Sequence, residues 1–190
     1  MDSSLNNKII HSLERISKAF RVLLWEESKK HKLSPIQIQI LLFCSTHRKE
    51  DLKVSFLAKE FDLTKATISD SIRVLIEKGL LLKETDIKDT RSYVVSLTKK
   101  GKEIVESSSN FSLQLDQSIE LLSHSNKEIL LGSLLHVIHE LNQKEVISLQ
   151  RMCLTCHHYS NSDNNHYCNL LEKKLKNDEL RVDCPDHLVR

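Results

Sequence analysis

Apolar residues recur every three to four positions at Ile9, Leu13, Ile16, Phe20 and Leu23/Leu24, and this period predicts an amphipathic helix of several turns over residues 9–24. Ser34-Pro35 then supplies a cap with proline at the first helical position, so IQIQILLFCS, Ile36 to Ser45, reads as a buried helix before the polar loop THRKED. Phe56, Leu57 and Phe61 give a short apolar stripe to a helix over Val54 to Leu63. Thr64 is a good N-cap for the next helix, which places Ile68, Ile72, Leu75 and Ile76 on one face until Gly79 stops it. The pattern then changes period. LLLKETDIKDTRSYVVSL reads as two β-rich runs joined by a turn carrying Asp86, Lys88, Asp89 and Arg91. Beyond it, Thr98 caps a long helix with a stripe of Ile104, Phe111, Leu115 and Leu122, weakened by the serines from Ser107 to Ser109. A capping box, Ser125 to Glu128, opens a last helix with Leu131, Leu134/Leu135, Ile138 and Leu141 on its buried side, running to about Leu149.

Short helix, Thr/Ser-rich helix and charged hairpin follow one another over Val54 to Gly101 at the distances a winged helix-turn-helix requires. The expected fold is therefore mainly α with a small β-hairpin wing (α+β), carrying long N- and C-terminal helices. Those outer helices have more apolar face than a winged helix of this size needs to cover itself, which points to burial against a second copy of the chain, a homodimer. With 190 residues, 39% of them apolar, and only 3 Gly and 2 Pro, the composition fits a helical protein with one substantial core and an appendage. No apolar run approaches the roughly 18 residues of a membrane span, and the start lacks an export signal, so a cytoplasmic protein without a membrane partner is expected. A net charge of +2 leaves any nucleic-acid surface to the placement of charge and not to its total.

That placement is found on the second helix of the pair. Opposite Ile68 and Ile72 stand Ala66, Thr67, Asp70, Arg73 and Glu77, with Thr64 and Lys65 at the N-terminal end. Small hydroxyls permit close approach, Arg can bind guanine through two bonds, and a helix N-terminus attracts phosphate. Asp70 runs against this, unless it accepts from cytosine or pairs with Arg73. Arg91 on the hairpin can enter a minor groove, with Asp89 two residues earlier to orient its guanidinium.

LSPIQIQIL, LAKEFDLTKATISDSIRVLIEKGLL and DIKDTRSYVVSLTKKGKE together resemble the MarR family of winged-helix regulators, over residues 1–150. The resemblance implies recognition-helix contacts to double-stranded DNA from Thr64, Lys65, Thr67, Ser69 and Arg73, and a paired wing contact from Asp89 and Arg91. It further implies a homodimer on a pseudo-palindromic operator, with repression relieved by a small-molecule effector in the dimer cleft. At Asp70 the chain departs from the family, which very often carries Arg there.

Residues 151–190 lie outside that pattern. Four of the five cysteines fall here, as Cys153-x2-Cys156, x11, Cys168, x15, Cys184-Pro185. A Cys-x2-Cys knuckle and two further thiolates suffice for tetrahedral zinc or a [4Fe–4S] cluster. Leu170, Leu171, Leu175, Leu180 and Val182 offer only a miniature core, so a metal staple is expected. Zn2+ is ranked narrowly first as the commoner occupant of closed four-thiolate sites, with His157, His158, His166 and His187 available to a mixed zinc site. The single Cys-Pro step and the lack of a second Cys-x2-Cys pair favour the cluster. Cys44, inside an apolar helix, reads as a small core residue.

A transcription regulator, and no enzyme, is the expectation. The competing classes are a redox metalloprotein or thiol oxidoreductase using Cys153 and Cys156, which lacks a βαβ context, and a winged-helix protein-interaction module that has lost DNA binding.

Overall fold

The computed structural model describes residues 4–85, 92–148, 150–162 and 165–190. Seven helices and five strands run in the order α1 Leu5–His31, α2 Pro35–Thr46, α3 Val54–Glu60, α4 Lys65–Glu77, β1 Leu81–Thr85, β2 Tyr93–Leu97, α5 Lys99–Ser108, α6 Leu113–Glu120, α7 His124–Gln143, β3 Tyr159–Ser162, β4 Asn165–Cys168 and β5 Lys173–Leu175, among the described residues. They gather into two compact units, residues 1–53 with 69–119, and residues 54–68 with 120–190. The fold is that of a winged helix: mainly α, with one small antiparallel hairpin after α4.

In the first unit, α1 is longer than its apolar stripe suggests. Ser4 caps it by accepting from the Asn7 N–H, and Lys32 ends it in the left-handed region at φ 53°. Lys29, Lys30 and His31 in its last turn face the negative end of the helix dipole. α2 starts as expected, with Ser34 and Gln37 exchanging the two bonds of a capping box. Its Ile38, Ile40 and Leu41 are fully buried, as are Leu81 of β1 and Val95 of β2. Cys44 is buried too, and burial pushes its thiol up to about 12, which keeps it a protonated core residue. β1 and β2 pair from Leu81↔Leu97 to Thr85↔Tyr93, and the Leu52 carbonyl accepts from the Val95 N–H at 3.0 Å. Gly101 permits a close approach here: a Cβ on it would lie 2.2 Å from the Leu80 carbonyl oxygen.

The long helix expected after the wing is two helices. Ser107 and Ser109 bond back to the carbonyls of Ile104 and Glu106, and the chain turns through Asn110 and Phe111 before α6 begins. Serine hydroxyls that compete for helix carbonyls weaken the ladder at that point. Phe111 still reaches the α1 face, meeting Phe20 edge to face with ring centroids 5.2 Å apart.

In the second unit, α7 begins earlier than its sequence box suggests. Ser123, and not Ser125, is the N-cap, accepting from the Asn126 N–H at 3.3 Å, and the helix ends at Gln143. The cysteine-rich segment shares this unit with α7 and α3. Its strands form an antiparallel sheet in the order β3-β4-β5. Leu135 of α7, Met152, Cys156, Tyr159 and Leu180 make the core, with Leu175 packed against it. Leu170, Leu171 and Val182, expected inside, are about half exposed. The apolar partner is thus the face of α7, which the tail sequence alone does not contain.

Candidate nucleic-acid interface and cysteine pocket

α4 is made by local chemistry. The Thr64 hydroxyl accepts from the Thr67 N–H at 3.1 Å and meets the Thr67 hydroxyl at 2.9 Å, so the helix opens on a hydroxyl-lined N-terminus. Gly79 ends it at φ 69°, a left-handed conformation that favours glycine. Ile68, Ile72 and Leu75 are buried, while Thr64, Lys65, Thr67, Ser69, Asp70 and Arg73 are all exposed. Every recognition-helix residue expected from the sequence therefore lies on the solvent side. Asp70 is not a free carboxylate: its Oδ1 accepts from Arg73 Nη2 at 3.3 Å, and Glu77 Oε1 accepts from Arg73 Nη1 at 3.1 Å. Such exposed pairs cost little to break, so the guanidinium can turn to a phosphate or base. Asp89 and Arg91 lie outside the described residues.

α3 ends at Glu60, and Asp62 in the turn after it takes φ 49°. It is fastened by the segment entering the tail. The Ser148 hydroxyl donates to the Lys59 carbonyl at 2.6 Å, and the Ser148 N–H donates to Asp62 Oδ1 at 3.1 Å. Arg151 is buried. It donates from Nη2 to Asp183 Oδ1 at 2.6 Å, its Nε stands 3.7 Å from Glu60 Oε2, and its Cζ lies 5.5 Å from the Phe56 ring centroid.

The tail brings all four expected thiols, Cys153, Cys156, Cys168 and Cys184, to the wall of one pocket. Each arrives by a backbone device. Cys153 to Thr155 form a 3-10 turn closed by the Cys156 N–H on the Cys153 carbonyl, the knuckle that the x2 spacing implies. The β3–β4 register sets Cys168 opposite Tyr159, three residues past Cys156. The Cys184 N–H donates to the Arg151 carbonyl at 2.8 Å, two residues before Cys153. Tyr159, Leu170, Leu171 and Leu175 supply apolar wall. Burial pushes the Cys153 thiol up, the Arg181 N–H opposes this, and the nearby Cys184, Cys156 and Cys168 raise it further.

Arg181 was not singled out by spacing. Its N–H donates to Cys153 Sγ at 3.2 Å and its Nη1 to Cys184 Sγ at 3.5 Å. The i, i+3 separation from Cys184 is the one sequence signal that could have found it. The histidines are placed elsewhere. His166 meets the Tyr159 hydroxyl through Nδ1 and Asn177 Oδ1 through Nε2, and His187 meets the Thr155 hydroxyl at 3.0 Å. Neither these two nor His157 or His158 line the pocket. A separate trio, His124, Glu128 and Asp178, sits at the surface.

The architecture defines a winged-helix protein, and solved structures share it. MepR of S. aureus in its DNA-binding conformation aligns with a TM-score of 0.63 at 22% identity, over 70% of this chain and 98% of that one. The S. aureus MepR–DNA complex aligns at 0.61 and 23%, over 69% and 96%. A MarR transcriptional regulator from Methanosarcina mazei Go1 aligns at 0.60 and 18%, over 72% and 96%. Within the fold, residues 31–92 match the model of the MarR family, a stretch that holds α2 to α4 and β1 but neither β2 nor any of the tail cysteines. No curated protein matches the chain. Among the described residues no helix is long and apolar enough to cross a membrane.

Proposed function

We propose that this chain is a MarR-type transcription regulator that binds double-stranded DNA as a homodimer, one α4 to each half of a pseudo-palindromic operator. The observation that carries the reading is α4 itself: a capped N-terminus and an exposed row of Thr64, Lys65, Thr67, Ser69 and Arg73 on a helix whose other face is buried. An N-terminus of this kind binds phosphate, and the side chains behind it can read base edges. The match of residues 31–92 to the MarR family and the likeness to a protein solved with DNA support it.

Dimerisation is supported by apolar surface. Ile10 and Trp25 on α1 are 61% and 55% exposed, and Leu121 and Ile129, in the other unit, 88% and 64%. Monomers rarely leave so many large apolar side chains in water. We read the tail as a metal centre held by Cys153, Cys156, Cys168 and Cys184, and the wing pair Asp89 and Arg91 as a minor-groove contact. Effector relief of repression, a habit of the resembled family, belongs to the same proposal.

Selection of fragments from a random double-stranded pool tests the reading. The protein should retain an inverted repeat with an affinity that falls steeply with salt, and Lys65→Ala should weaken binding and lower the salt slope by about 1. Retention of no DNA at low salt would refute it.

A further inference from the structure

The four tail thiols face one pocket, yet no three of their sulfurs lie within 4.8 Å of one another. Zinc binds thiolates at about 2.3 Å, which in a tetrahedron sets the sulfurs roughly 3.8 Å apart. The knuckle, the end of β4 and the Cys184 turn carry these sulfurs, which do not gather to that spacing. Their backbones are fixed: Cys168 by its pairing with Tyr159, Cys184 by the Arg151 carbonyl, and Cys153 by reciprocal bonds, its N–H to the Arg181 carbonyl and its sulfur to the Arg181 N–H.

A cubane asks for the wider arrangement. Each thiolate then binds a different iron at a different corner, and a layer of iron and sulfide separates the ligands. The surroundings agree. The walls are mostly apolar, with Glu179 and Asp186 the acidic side chains among them, and the Arg181 N–H and guanidinium donate to two of the sulfurs; polarity and hydrogen bonds to sulfur are the features by which a protein sets a cluster's potential. No histidine reaches the pocket, which removes the mixed thiolate–imidazole alternative that zinc would favour.

We propose that Cys153, Cys156, Cys168 and Cys184 ligate a [4Fe–4S] cluster, one thiolate to each iron. The proposal rests on the reading of the tail as a metal centre and names its occupant. Binding releases the four thiol protons to solvent, and the positive Arg181 offsets part of the remaining negative charge.

The test uses the full chain, purified without oxygen and then treated with ferric iron, sulfide and a thiol reductant, whose oxidation to disulfide supplies the two electrons that bring four ferric ions to a two-ferric, two-ferrous cluster, with zinc alone offered in a parallel sample. Expected are about four irons and four sulfides per chain, broad visible absorption that bleaches in air, and a paramagnetic signal after dithionite. Cys168→Ser should lose the absorption at least severalfold while Cys44→Ser keeps it in full. If Cys168→Ser fails to fold, the metal-to-sulfide ratio of the unaltered protein decides. About one zinc per chain, with no sulfide retained under either treatment, overturns the cluster and leaves the metal centre. A chain that keeps neither metal overturns both.

Discussion

Arg151 and Asp183 are joined at 2.6 Å, and through this pair the turn carrying Cys184 is tied to a guanidinium that also faces Glu60 of α3. One buried cation therefore stands between the cysteine pocket and the first helix of the helix-turn-helix pair. Arg suits the place because its planar fork serves two carboxylates and its face covers the Phe56 ring.

Arg151→Ala should destabilise the protein by about 3 kcal/mol, the lower end of the cost of removing one partner from a buried ion pair. The lower end applies because Asp183 is half exposed and returns to water, while the more buried Glu60 is left facing a gap. Urea unfolding followed by circular dichroism measures it. A midpoint that does not move would show that Ser148 alone holds the segment on α3.

Glu27 should make stability depend on acid. Its carboxylate is buried, which by itself raises the pKa, but hydrogen bonds from Lys30 at 2.8 Å and His31 at 3.0 Å outweigh burial and hold it below the usual carboxylate range. A depressed folded-state pKa means that the unfolded chain takes up the proton first. The stabilisation is therefore complete above the ordinary glutamate range, about pH 4.3, and is lost as pH falls through the folded value. Urea midpoints measured from pH 6 to pH 3 should fall more steeply for the natural protein than for Glu27→Gln. Parallel curves would remove Glu27 from the acid response.

Gly101→Ala should cost at least the 1–3 kcal/mol typical of overpacking, because the new methyl would meet the Leu80 carbonyl oxygen at 2.2 Å and that atom belongs to backbone. Gly132→Ala, on the open face of α7 with nothing within 4 Å, is the control and should be neutral or stabilising. Thermal unfolding of the two variants separates steric conflict from helix propensity; equal midpoints would contradict the close approach.

The sequence by itself determined what depends on near neighbours. Ser34-Pro35 starts α2 and Gly79 stops α4 because capping bonds and backbone freedom act within a few residues. The exposed row from Thr64 to Arg73 was legible for the same reason: a period of 3.6 fixes which residues oppose Ile68 and Ile72 once that face is buried. So was the number of tail thiols, though not their separation. Tertiary structure decided the rest. Ser123 and Ser125 offer similar caps, and the serines after Ser107 weaken a helix without saying whether it breaks; these are small differences that packing settles. Tail residues Met152, Tyr159 and Leu180 are buried while Leu170 and Leu171 are exposed, because the apolar face that covers the former belongs to α7, outside the tail. Which residues line the pocket likewise follows from the β3–β4 register and from the bond between Cys184 and Arg151, contacts that no spacing of cysteines encodes.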